Sequence, residues 1–153
     1  MLREAGFAAV VITHQSGVGR GFFDETAVEN LHKVFAGLFE AAGAPLDGIY
    51  YCPHDSSPGR PGFASGCECR KPLPELGLRA ARELGLDLGR SFMVGDKVDD
   101  VAFGRAIGAT PVLVLTGYGE ETALSPALAE ARPAHIAPTL LDAARWIVGR
   151  SRA

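Results

Sequence analysis

The first apolar cluster along the chain is the unbroken run Phe7-Ala-Ala-Val-Val-Ile-Thr13, which stops at polar His14-Gln15-Ser16-Gly17. A run rich in β-branched residues and without polar alternation predicts a strand buried on both faces, as in a parallel sheet. Asp24 is placed to cap a helix in which Val28, Leu31, Val34, Phe35, Leu38 and Phe39 recur at helical spacing, with Gly43 as its stop. Gly48–Cys52 reads as a second strand, and the Gly-, Pro- and Ser-rich stretch from Pro53 to Gly66 as a long loop. Pro74 opens a helix that closes at Gly85, Phe92–Val94 is a strand ending at Gly95-Asp96, and a helix follows from about Asp99 to Ile107 with Gly108 as its stop. Pro111–Leu115 is a further buried strand, and His135–Ala137 a last short one before a helix over Leu140–Val148. Strands alternating with helices imply an open α/β sheet of parallel strands with helices on both faces.

The opening Met1-Leu-Arg-Glu-Ala-Gly6 has the look of a helix's last turn and its glycine stop. This pattern leads us to expect an upstream strand and most of a helix ahead of Met1, with 1–153 as an incomplete single domain.

Composition narrows the class. A length of 153 residues suits one domain with one core, and 47% hydrophobic against 22% charged residues excludes disordered and fibrous classes. A net charge of −3 gives no electrostatic case for nucleic acid or an anionic membrane. The longest apolar run is too short to cross a bilayer and lacks the flanks of a signal peptide, so a cytoplasmic protein is expected.

Cysteine placement adds chemistry. Cys52, Cys67 and Cys69 are the chain's three cysteines, an odd and tightly grouped set that argues for metal over disulfides. Cys52-x-His54 and Cys67-x-Cys69 together supply three sulfurs and an imidazole, a full tetrahedral set for structural zinc. Such a metal would pin the loop 52–69.

Three polar groups fall just beyond the carboxyl ends of predicted strands, where α/β proteins hold phosphate. Thr13 closes the first strand. Arg70-Lys71-Pro72 follows the last cysteine directly, offering a guanidinium for bidentate contact and an ammonium for charge balance. Asp96, in Gly95-Asp96-Lys97-Val98-Asp99-Asp100, is placed for a hard cation such as Mg²⁺.

In this order the motifs resemble those of the haloacid dehalogenase superfamily of phosphatases. The strand ending Thr13-His-Gln-Ser16 is similar to its second motif, Lys71 to its third, and Gly95-Asp96-Lys97-x-x-Asp100 to its fourth. The zinc loop narrows the likeness to a branch whose substrates are heptose bisphosphate or histidinol phosphate. Gly48–His54, Cys67–Pro72 and Met93–Lys97 resemble the heptose side.

The resemblance implies a Rossmann-like fold, Mg²⁺ and Zn²⁺ as cofactors, a small phosphosugar substrate and a monomer. It implies that Thr13 and Lys71 serve catalysis and that His14, Gln15, Ser16, Arg70 and Lys97 contact substrate with them. Asp96 would hold Mg²⁺, and loops such as Val18–Phe23 would set specificity. His14 stands where the family usually has Asn. The family's first motif, Asp-x-Asp, which supplies the nucleophile and the general acid, occurs nowhere in the 153 residues. Its strand would lie in the middle of the sheet, between those carrying Thr13 and Asp96. A phosphosugar-binding protein that has lost its nucleophile is therefore the second reading. A receiver-like domain is a third, in which the zinc set has no place.

Overall fold

The structure, a computed structural model, describes residues 1–55 and 66–151. Five parallel strands alternate with helices: β1 (Val10–His14), α1 (Glu25–Ala41), β2 (Gly48–Cys52), α2 (Glu75–Leu84), β3 (Phe92–Gly95), α3 (Val98–Ala106), β4 (Thr110–Val114), α4 (Gly119–Ala123), α5 (Pro126–Ala131), β5 (His135–Ala137) and α6 (Leu140–Ser151). The Asp24 carboxylate accepts the Ala27 N–H at 2.8 Å, the expected N-cap of α1, and Gly85 closes α2 in the left-handed conformation. A 3₁₀ turn at Arg3–Ala5 ends on Gly6 at φ 84°, the helix-terminus geometry read from the sequence. The helices α4 and α5 went unpredicted because each is too short to carry a periodic apolar stripe.

The sheet is divided. The pair β1–β2 forms one ladder, and β3-β4-β5 forms another. In β4 the side chains alternate between helical layers: Val112 and Val114 pack with Ala143 of α6, whereas Leu113 packs with Val101 of α3 and Leu128 of α5. Helices thus cover both faces of the larger sheet. On β1–β2, Tyr50 and Cys52 pack against Leu76 and Ala80 of α2.

The two ladders are not hydrogen-bonded to each other. The backbone of β1 shows which way its groups face. Ala9 accepts from Asp47 N–H and Gln15 donates to the Cys52 carbonyl, so alternate residues of that run bond on the β2 side. Ile12 points the other way, and its carbonyl accepts from the Lys71 ammonium at 3.0 Å. At the opposite end, Phe7 meets Phe92 of β3 edge-on, with ring centroids 5.8 Å apart.

One expectation is corrected here. The first strand was read as buried on both faces and starting at Phe7. It begins at Val10, where pairing with Gly48 of β2 starts, and all five of its residues are only half-buried. Strand β3 is half-buried throughout, whereas four of five residues in β4 are buried, because β4 alone among these has a paired neighbour on each side. The apolar stripe of α1 lies largely uncovered among the described residues. Only Val28 is buried, while Leu31, Val34 and Leu38 are more than half exposed. The loop between Pro53 and Gly66 lies mostly outside the described residues.

Candidate phosphate and metal site

The exit of β1 carries Thr13 and His14. The His14 ring accepts the Lys71 backbone N–H at its Nε2, at 2.8 Å, which leaves the proton on Nδ1. Burial, then the charges of Lys71 and Arg70, push its pKa down to about 4. The ring is therefore a neutral acceptor and donor at pH 7, with the hydrogen-bonding capacity of an amide. Gln15 and Ser16 continue the turn through backbone bonds: Gln15 N–H donates to Cys52, and the Ser16 carbonyl accepts from Arg20.

That turn is clamped to the start of the cysteine loop. Gly19 donates to the Pro53 carbonyl at 2.9 Å, and the Arg20 guanidinium pairs with the carboxylate of Asp55, which is 2% exposed. A side chain at Gly19 would collide with the Asp55 backbone, so only glycine permits this approach.

Lys71 lies at the centre. Its ammonium, nearly buried, donates to the Ile12 carbonyl and pairs with Asp100 Oδ1 at 2.6 Å. The other oxygen of Asp100 accepts the backbone N–H groups of Asp96 and Lys97, at 3.2 and 3.1 Å. Asp100 thus ties Lys71 to the turn carrying Asp96. Asp96 in turn accepts the Tyr118 N–H through Oδ2 at 2.9 Å. Its other oxygen has no hydrogen-bond partner among the described residues, as a hard-cation ligand requires. Arg70 donates to the His54 carbonyl at 3.2 Å, and the peptide joining Lys71 to Pro72 is cis.

The predicted metal ligands converge. The Cys52, Cys67 and Cys69 sulfurs and His54 Nδ1 all lie within 4.8 Å of one another. Cys52 and Cys67 sulfurs are 3.7 Å apart, close to the edge of about 3.8 Å that a tetrahedron with 2.3 Å Zn–S bonds would have, whereas Cys52 and Cys69 sulfurs stand closer, at 2.9 Å. Burial and the two neighbouring sulfurs push the Cys69 thiol well up. Three crowded sulfurs cannot all ionise without a cation among them, so the converging donor set fits zinc by its chemistry. A cleft of about 360 Å³ lined by His54, Arg70, Lys71 and Leu73 joins this cluster to the phosphate-type groups.

The structure brings Thr13, His14, Lys71 and Asp96 to one end of the strands, with Arg70 beside the sulfur cluster. Sequence reasoning missed three contributors. Asp100 appeared only as a motif position, although it holds Lys71. Asp55 carried no signal, since its burial depends on Gly19. Tyr118 had one available sign, the Gly117-Tyr-Gly119 punctuation directly after an apolar strand.

A parallel α/β layout with hydroxyl, ammonium and carboxylate at the strand exits defines a domain of the phosphate-handling class. Residues 68–143 match the family model described as "HAD-hyrolase-like". D-glycero-beta-D-manno-heptose-1,7-bisphosphate 7-phosphatase of Yersinia pestis is 46% identical over 118 residues, covering 76% of this chain and 62% of that protein. The protein of the same name from Escherichia coli K12 is 43% identical over 117 residues, covering 76% and 61%. The crystal structure of the D,D-heptose 1,7-bisphosphate phosphatase of B. bronchiseptica, complexed with magnesium and phosphate, superposes with a TM-score of 0.81 at 31% identity. The match covers 97% of this chain and 78% of that one. The chain belongs to the haloacid-dehalogenase-like hydrolase family, and these relatives are heptose bisphosphate phosphatases. It spans about three fifths of the length of the curated relatives it matches.

Proposed function

We propose that this chain forms the phosphate-holding and metal-holding part of a phosphoric monoester hydrolase that removes the 7-phosphate of D-glycero-D-manno-heptose 1,7-bisphosphate in the cytoplasm. The Lys71–Asp100–Asp96 linkage carries the reading. It fixes an ammonium on the Ile12 carbonyl of β1 and ties it, through Asp100, to the turn after β3 that carries a free carboxylate oxygen. Similarity to the heptose bisphosphate phosphatases supports the choice of substrate over histidinol phosphate.

In this reading the Thr13 hydroxyl and the Lys71 ammonium bind the phosphoryl oxygens. Arg70, Lys97, Gln15 and Ser16 hold the rest of the substrate, and neutral His14 donates from Nδ1. Asp96 is the residue that would hold magnesium, which when bound shields the phosphoryl charge. Cys52, His54, Cys67 and Cys69 would hold zinc, fixing Arg70 and Lys71 immediately after the last ligand. An attacking carboxylate in an Asp-x-Asp motif, as the resembling family uses, does not occur within these 153 residues.

The test is phosphate release from heptose 1,7-bisphosphate and from histidinol phosphate by the protein isolated from its native source, with and without Mg²⁺. We expect Mg²⁺-dependent release from the heptose, and a fall of at least about a hundredfold for Lys71→Ala, the order attached to one charge-stabilising donor. Preference for histidinol phosphate would overturn the substrate. Tight phosphosugar binding without turnover would favour the binding-protein reading.

A further inference from the structure

Asp96 and Lys97 are adjacent, and the proposed function needs both: a carboxylate open to a cation and an ammonium open to an anion. Left to themselves, the two side chains would neutralise each other. Among the described residues Lys97 forms no ion pair. Its ammonium instead sits over the ring of Tyr118, 4.3 Å from the centroid. The same residue's N–H holds Asp96 Oδ2 at 2.9 Å.

The loop after β4 is shaped to put Tyr118 there. Gly117 has φ +66°, and any side chain on it would overlap the Asp96 carboxylate. A side chain on Gly119 would overlap the Val114 carbonyl at the end of β4. Gly119 N–H closes the turn on Thr116 at 3.1 Å, and Thr122 N–H returns to the Tyr118 carbonyl at 2.9 Å as α4 begins. With its backbone fixed on both sides, Tyr118 presents a ring that is 59% exposed in a cleft of about 570 Å³, which Lys97, Thr122 and Ser125 also line.

We infer that Tyr118 is a positioning residue that separates the charges of Asp96 and Lys97. Its N–H orients the carboxylate and its ring face draws the ammonium aside by a cation–π contact. Asp96 thereby keeps an oxygen for a divalent cation, and Lys97 keeps its charge for an anionic group in the cleft. The inference rests on the cation-binding role given to Asp96 above.

The probe is Mn²⁺, whose binding to the full chain is read by electron paramagnetic resonance, alongside the Lys97 ε-methylene proton shifts by NMR. Tyr118→Leu keeps the N–H and removes the ring. It should weaken Mn²⁺ binding about two- to fivefold, the worth of an exposed cation–π contact, and return the Lys97 methylene from its ring-shifted position to that of a free lysine. Tyr118→Phe should change neither. Adding Lys97→Met to Tyr118→Leu should restore binding, because the competing ammonium is gone. Unchanged Mn²⁺ affinity in Tyr118→Leu, or no recovery in the double variant, overturns the charge separation. Wild-type binding in Asp96→Asn would overturn the role of Asp96 instead. A Lys97 methylene at the free-lysine position in the unmodified protein overturns the ring contact whatever the metal does.

Discussion

Breaking the pair between Lys71 and Asp100 should cost far more than breaking the surface ion pairs of the described chain. The two side chains are 11% and 9% exposed, against 38% to 63% for the Arg82–Glu75 and Arg145–Asp142 pairs. At 2.6 Å the gross attraction is about 6 kcal/mol for an effective dielectric of about 20, before desolvation is charged against it. Asp100→Asn leaves a nearly buried ammonium with one carbonyl, and leaves two backbone donors sharing one amide oxygen. We expect a loss of about 3 to 4 kcal/mol. Lys71→Met leaves Asp100 its two N–H donors and should lose about 2 to 3 kcal/mol. The double variant should fall short of the sum by at least about 1.5 kcal/mol, the mark of direct coupling. Urea unfolding followed by Trp146 fluorescence gives all three values. Repeating it in 1 M salt separates a buried pair from a screened one. Additivity within about 0.5 kcal/mol, or a coupling that vanishes in salt, would refute the buried linkage and with it the connection between Lys71 and the Asp96 turn.

Three further outcomes follow from the site. The unfolded chain binds a proton at His14 near its ordinary 6.5, but the folded one only near 4, so stability should fall as pH drops through that window. Because the ring is partly solvated, the difference between wild type and His14→Asn from pH 7 to 4.5 should be about 1 to 2 kcal/mol, and parallel curves would refute it. Zinc should bind at one ion per chain with release of protons, and chelation or Cys69→Ser should lower the thermal midpoint; an unchanged midpoint would remove the metal from the folding equilibrium. Gly117→Ala should destabilise by about 1 to 3 kcal/mol, more than Gly21→Ala, which shares the positive φ but meets nothing within 4 Å. Equal losses would show that Asp96 does not press on Gly117.

Residues whose role depends on their own strand or turn were legible in the sequence. Thr13 and Asp96 follow apolar runs directly, and the two Cys/His pairs declare their ligand spacing, so their convergence required only that the loop return to β2. What escaped was set by contact between distant segments. Asp55 is buried because Gly19 lets the β1 turn close on it, and Tyr118 acts through a loop whose glycines meet Asp96 and Val114. Neither contact has a local periodicity. The apolar stripe of α1 marks the opposite case. The periodicity identified the helix correctly, but a stripe says only that a face is apolar, not that the described chain covers it.

Among the described residues β1 is paired on one side only, and its other side has a colloidal consequence. A half-buried parallel strand with free backbone acceptors is a template on which a second chain can add its own strand. On this edge the ammonium of Lys71 occupies the Ile12 carbonyl that such a strand would need. A charge fixed to an edge acceptor must be displaced and desolvated before pairing begins, so the lysine that holds the strand exit together also makes β1 a poor seed for aggregation.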